Sequence, residues 1–337
     1  MANNRRALIV GIDHYTRLAP LSGCVNDAMA MKDVLEWNAD GSPNFENPQL
    51  LIDGGGAAAV TQKALRGAVD ELFSDEYADI ALLYFAGHGH AEDTGGYLCT
   101  GEFEGKGDGL PLVDVMTLAT NCKARNKVII LDCCKSGSAG NKTTGERTAD
   151  IAEGITILTA SQPNRNSFEM PGGGAGVYTS LLVEALHGAA ANLLGEVSVG
   201  SAYAYIDLSL GNWAQRPMFK THVNKFVHLR TAKPPIPIED LRQLAVHFPS
   251  PKYRFPLDPA YEPERNGSEP AGTPPPDPEG TKVFAQLQRY NRVNLVRPVD
   301  APHMWHAAMW SKSCELTVLG QHYRELAAKG RLGRATT

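Results

Sequence analysis

Two stretches of the chain share one design, and that design narrows the fold more than any other feature. Lys127 to Ser138 reads KVIILDCCKSGS: the apolar run Val128 to Leu131 stops at Asp132-Cys133-Cys134 and gives way to the turn residues Lys135-Ser136-Gly137. Asp79 to His90, DIALLYFAGHGH, repeats it, with Ile80 to Phe85 ahead of Ala86-Gly87-His88-Gly89. A short unbroken apolar run rich in β-branched and aromatic residues suits a strand covered on both faces, as in the middle of a parallel sheet. In such sheets ligands bind beyond the carboxyl ends of the strands. An acid, two thiols and a histidine are therefore expected at the edge where chemistry takes place. Two adjacent cysteines cannot both face one side of an alternating strand, so at least one should point away from the core.

The rest of the chain from its start to about residue 230 follows the same grammar. Ala7 to Ile12 reads as a buried first strand, and Asn26-Asp27 can cap a helix with Ala28, Met31, Val34 and Leu35 on one face. A short strand, Gln49 to Ile52, precedes a second helix that Thr61 should cap and that carries Leu65, Ala68, Val69 and Leu72 inward. The glycines and prolines from Gly95 to Pro111 read as a loop, Ile155 to Leu158 as a fifth strand, and Tyr178 to Leu186 as a helix. Phe219 to Leu229 suits an edge strand. Strands alternating with helices predict an α/β domain: a mainly parallel sheet with helices on both faces. The expected division is a domain over 1–230, a Pro-rich linker over 231–280 that can hold a short helix from Glu239 to Val246, and a small, mostly helical C-terminal module over 281–337. That module suggests a winged-helix-like arrangement or a docking domain.

Composition removes several function classes. Among 337 residues, 32 Lys and Arg stand against 37 Asp and Glu, so no strong field draws nucleic acid or an anionic membrane. The basic residues of the C-terminal module are scattered rather than striped, which argues against a nucleic-acid partner. No apolar run approaches the ~20 residues of a membrane span, and the start of the chain has no secretory signature. Six cysteines without framework spacing fit a reducing compartment, so the expected location is the cytoplasm. No histidine or cysteine cluster has metal-ligand spacing, and no metal site is expected.

A thiol becomes a strong nucleophile only when deprotonated, and an adjacent imidazole is the usual activator. With Ala86-Gly87-His88-Gly89, Asp132-Cys133-Cys134-Lys135-Ser136-Gly137 and Gly23-Cys24-Val25-Asn26-Asp27-Ala28 in this order, the chain resembles the caspase-like cysteine peptidases, closest to metacaspases and bacterial orthocaspases. The resemblance runs over about residues 5 to 230 and implies the caspase-hemoglobinase fold. It makes Cys134 the nucleophile and His88 its partner in a dyad, with Cys133 at a variable position. It departs from the family at Ala86, where serine is usual, and at Lys135, where histidine is usual.

The same resemblance implies a cysteine endopeptidase that cuts protein substrates after Arg or Lys. Asp27, Asp132 and Cys24 match the family's substrate pocket, where two carboxylates can receive a guanidinium through paired charge-assisted hydrogen bonds. Backbone N–H groups at Gly89 and Cys134 are the candidate oxyanion hole. Lys142 and Arg147, in the polar loop after the cysteine, are candidate self-cleavage sites. They imply a zymogen answering to an activating protease or regulatory partner, in a bacterial stress, cell-death or defence setting. No cofactor is required on this reading. Calcium activation, which occurs among metacaspases, is left open because the chain has no EF-hand loop. The alternative is a catalytically weak or inactive caspase-fold scaffold that binds partner proteins through its C-terminal module.

Overall fold

The computed structural model describes residues 4–56, 59–74, 77–92, 95–105, 108–133, 151–160, 176–210, 216–265 and 267–332. The chain divides into two compact units, one of Met1–Ala191 with Glu196–Lys233 and one of Asn192–Gly195 with Pro234–Thr337.

In the first unit, strands and helices alternate. In order they are β1 (Arg5–Ile12), α1 (Cys24–Glu36), β2 (Gln49–Asp53), α2 (Gln62–Ser74), β3 (Ile80–Ala86), β4 (Gly89–Glu92), β5 (Gly95–Leu98) and β6 (Leu110–Pro111). There follow α3 (Leu112–Asn121), β7 (Asn126–Asp132), β8 (Ile155–Thr159), α4 (Val177–Glu184), β9 (Glu196–Ser198), α5 (Val199–Leu210), β10 (Met218–His222) and β11 (His228–Thr231). Six strands form one sheet in the order β10-β8-β7-β3-β1-β2. All but β10 run parallel, and β10 borders β8 antiparallel at the edge.

Burial on both faces explains the unbroken apolar runs. Every residue of β3 is buried. Its Ile80, Leu82, Tyr84 and Ala86 join a cluster with Ala28 and Met31 of α1 and Leu182 of α4, while Ala81, Leu83 and Phe85 join Leu65 and Val69 of α2 and Val115 of α3. A Leu or Ile removed from water in this way contributes about 1.5–3 kcal/mol. The same alternation settles the cysteine pair in part. Cys133 is buried with Leu131 and Ile129 in the cluster beneath α2 and α3, whereas Asp132 belongs to the opposite face.

Three sequence expectations need correction. Asp27 does not cap α1. The helix begins at Cys24, where the Asp13 carboxylate accepts from the N–H groups of Cys24 (2.8 Å) and Val25 (3.4 Å), leaving Asp27 inside the first turn and buried. The segment read as a loop contains β5 and β6, which with β4 make a small antiparallel sheet in the order β4-β5-β6. Glycine-rich strands of two to four residues carry no periodicity to read.

The expected linker is largely structure. The second unit contains α6 (Ile238–His247), β12 (Arg254–Pro256), α7 (Pro278–Arg292), β13 (Val296–Val299), α8 (Met304–Met309), β14 (Ser313–Leu316) and α9 (Val318–Ala328). Ile236, Leu241, Leu244, Phe248 and Leu257, all from the Pro-rich stretch, share its core with Phe284, Leu287 and Tyr290 of α7. The short helix expected over Glu239 to Val246 is present as α6, while proline density masked its packing into a core. The strands pair antiparallel in the order β12-β14-β13, and Asp277 and Thr317 cap α7 and α9 through the N–H groups of Gly280 and Gly320.

Gly11 fixes where α1 meets the sheet. A Cβ there would lie 2.3 Å from the Cys24 carbonyl oxygen and 2.7 Å from the Ala28 Cβ. Backbone occupies that space, so Gly11→Ala must push the start of α1 off the sheet. We expect a loss of about 1–3 kcal/mol in urea unfolding, the usual range for overpacking a close contact.

Candidate active site

The carboxyl ends of β3 and β7 lie side by side, with Ala86 opposite Asp132 in the parallel register. One further hydrogen bond crosses beyond the ladder, from Gly87 N–H to the Asp132 carbonyl at 3.3 Å. The turn that carries His88 is thereby tied to the residue two positions before Cys134. Gly87 has no room for a side chain, because a Cβ would sit 2.6 Å from the Tyr15 hydroxyl and 3.1 Å from the Phe85 ring.

His88 is held from three directions by the connection between β1 and α1. Its backbone N–H donates to the Tyr15 hydroxyl at 2.8 Å, and the Tyr15 ring packs against the imidazole at a centroid distance of 4.8 Å. Its Nε2 lies 2.8 Å from the Ala19 carbonyl oxygen. A carbonyl only accepts, so Nε2 must carry the proton, and in the neutral ring Nδ1 is then the free base. The connection that supplies Tyr15 and Ala19 is itself fastened. Asp13 N–H donates to the Asp53 carbonyl (2.8 Å), Thr16 N–H to Gly101 (2.8 Å) and Leu21 N–H to Asp13 (2.8 Å). Burial pushes the Tyr15 phenol well above its ordinary value, so it stays neutral and accepts the His88 N–H as a fixed dipole.

Asp27 and Asp132 lie near each other at the start of α4. Asp27 Oδ2 accepts from Gly176 N–H at 3.0 Å, and Asp132 Oδ2 accepts from the Thr179 hydroxyl at 2.7 Å. A Cβ on Gly176 would stand 3.1 Å from Asp132 Oδ2 and 3.3 Å from Asp27 Oδ2, so both acids abut the same small residue at the start of α4. Asp132 keeps part of its surface accessible, yet burial of the carboxyl raises it to about 6, partly offset by the Thr179 hydroxyl. Cys24, half-buried at the first residue of α1, is close enough to Tyr84 and Tyr15 to oppose their ionisation. Gly89 opens β4 opposite Leu98. Since His88 O accepts from Cys99 N–H at 3.0 Å, Gly89 and Leu98 form the non-hydrogen-bonded pair, and the Gly89 N–H turns away from β5.

Cys134, Lys142 and Arg147 lie outside the described residues. Among the described residues no group of three or more His, Cys, Asp or Glu side chains is arranged to hold a metal ion, and no helix is long and apolar enough to cross a membrane. The Ala19 carbonyl and Tyr15 were not found by sequence reasoning. A backbone oxygen leaves no mark in a sequence, and a lone tyrosine in a connecting segment has no spacing to betray it.

A family model described as the caspase domain matches residues 4–227. Metacaspase-1 of Plasmodium falciparum (isolate 3D7) is 29% identical over 153 residues, covering 41% of this chain and 24% of that protein. The chain thus spans about a quarter of the curated relative it matches. Among solved structures, caspase-1 from Spodoptera frugiperda superposes with a TM-score of 0.50 over 68% of this chain and 92% of its own, at 14% identity. That likeness is one of fold.

The raised Asp132 carboxyl makes stability depend on pH. Its folded value, about 6, lies above the ordinary 3.8, so the folded state holds a proton that the unfolded chain releases first. Its contribution is fully present below about 4 and is lost as pH rises through about 6. We expect the difference in Tm between wild type and Asp132→Asn to change across that window and to be flat above it, as read by thermal unfolding at half-unit pH steps.

Proposed function

Because the chain belongs to the caspase-domain family, we propose that it is a cysteine endopeptidase that cleaves proteins after Arg or Lys. The observation that carries this reading is the convergence of Asp27 and Asp132 on Gly176, at the strand edge that also presents His88. Two carboxylates at one point suit a guanidinium, which can donate to both, and suit an ammonium by charge alone. An aspartate side chain would meet two like charges there.

In the proposed reaction the Cys134 sulfur attacks the scissile carbonyl while its proton passes to His88 Nδ1. The Nε2–H bond to the Ala19 carbonyl fixes the ring and strengthens as the imidazolium forms, since the hydrogen bond becomes charge-assisted. The carbonyl electron pair collects on oxygen, and the Gly89 and Cys134 N–H groups are the donors proposed for it. Collapse of the intermediate expels the amine, which takes its proton from Nδ1, and leaves a thioester. Water then attacks the thioester, giving up a proton to His88, and releases the carboxylic acid and the thiol. A backbone carbonyl serves here as orienter, which accounts for a dyad without a third acid. Cleavage at Lys142 or Arg147 in the segment after Cys134 would be self-directed under the same specificity, and calcium activation remains part of the proposal to be measured alongside.

Fluorogenic peptides ending in Arg, Lys or Asp, with and without calcium, test this reading. Wild type should cleave after Arg and Lys, Cys134→Ala should not, and Asp132→Ala should lose about 10- to 100-fold in kcat/KM for Arg, the cost of one charged hydrogen bond. Tyr15→Phe should lower kcat with little change in KM, because it loosens His88 and leaves the pocket alone. Cleavage after Asp would refute the specificity. Silence before and after limited trypsin treatment would favour a scaffold without activity.

A further inference from the structure

We infer that Thr179 is the specificity-positioning residue of the pocket, its hydroxyl being the middle link of a buried relay that runs from Tyr84 through Thr179 to Asp132. The inference rests on the Arg/Lys reading of that pocket and goes beyond it in naming a group that touches no substrate.

The geometry is fully specified. Tyr84 and Thr179 hydroxyls lie 2.6 Å apart, and the Thr179 hydroxyl lies 2.7 Å from Asp132 Oδ2. Tyr84 is 0% exposed and Thr179 1% exposed, so no water competes for these groups. Each hydroxyl has one proton to give. With Asp132 ionised only one direction satisfies the chain, with Tyr84 donating to Thr179 and Thr179 to the carboxylate. With Asp132 protonated the direction can reverse. Thr179 therefore senses and biases the charge of Asp132, the property on which capture of a cation depends.

Among the described residues, neither Ala86 nor Gly176 offers Asp132 a second donor. Ala86, opposite Asp132 on β3, carries no donor. The Gly176 N–H is committed to Asp27. Among the described residues, the titratable groups placed near Asp132 are Tyr84 from β3, Tyr178 from α4 and Asp27 from α1, none of them cationic. Burial holds both tyrosines far above their ordinary range, so they remain neutral throughout the useful pH range. Against this neutral or acidic surround, the Thr179 hydroxyl is the group that favours the carboxylate.

The test follows the Asp132 titration by carboxyl-carbon NMR in full-length protein, with the resonance assigned from Asp132→Asn. Thr179→Val should move the midpoint upward by about one pH unit, the effect of one hydrogen bond, and Thr179→Ser should restore it. Tyr84→Phe should move it the same way by less, and it decides the question if Thr179→Val does not fold. In kinetics, a shift of that size raises KM for Arg substrates about threefold at pH 6.5 and leaves it unchanged at pH 8.5, with kcat unaltered. An unmoved midpoint in Thr179→Val and Tyr84→Phe, or a rise in KM equal at every pH, overturns the relay. If wild type cleaves after neither Arg nor Lys, the functional reading fails, and the NMR midpoint still judges the relay.

Discussion

A strand has two faces, and at the carboxyl ends of β3 and β7 that alternation assigns every group near the site its place. Tyr84, Ala86 and Asp132 fall on the side covered by α1 and α4, while Phe85, Leu131 and Cys133 fall on the side covered by α2 and α3. A slip of one residue between β3 and β7 would exchange the acid for a thiol and bury the carboxylate under α2. The slip is prevented by seven consecutive paired positions from Ile80–Asn126 to Ala86–Asp132, with apolar side chains locked on both faces. The chemistry at the edge is as well defined as the core behind it.

From that edge outward, precision is supplied by backbone groups and the side chains that receive them. Asp13 receives the first N–H groups of α1, Gly11 lets that helix touch the sheet, and Gly87 lets Tyr15 close over the His88 turn. The Ala19 carbonyl then sets which imidazole nitrogen holds the proton. These contacts come from the connection after β1, an element with no regular structure of its own. Its rigidity comes from its ties to Asp53 and Gly101, and this rigidity keeps the imidazole in one orientation without an acidic partner.

What the sequence disclosed follows from what periodicity can carry. The strands β1, β3, β7 and β8 were legible because burial on both faces leaves a continuous apolar signature, and His88, Asp132 and Asp27 stand where those signatures end or a helix begins. Thr61 was legible as a cap. The small sheet containing β5 and β6 was not, since its strands are too short and glycine-rich. The packing of Leu241, Leu244 and Phe248 was hidden by the prolines around them. Asp27 was credited with a cap that Asp13 provides from eleven residues before the helix start. Long-range partners of this kind, like the Ala19 carbonyl, depend on tertiary closure and have no local trace.

The proposed specificity has a physical consequence that attraction alone would not give. Asp132 is an acid whose burial already disfavours its charge, and Asp27 stands beside the same glycine. A cationic side chain entering between them relieves that cost by supplying the missing counter-charge. A neutral side chain of equal size would exclude water from the acids and return nothing, and an acidic one would add repulsion. Discrimination therefore arises chiefly from what the wrong side chain leaves unpaired. A pocket built this way is most selective when its acids are most desolvated, provided one donor keeps them ionised at working pH. Burial and the Thr179 hydroxyl pull Asp132 in opposite directions, and the balance between them sets both how tightly a cation is held and how firmly other side chains are refused.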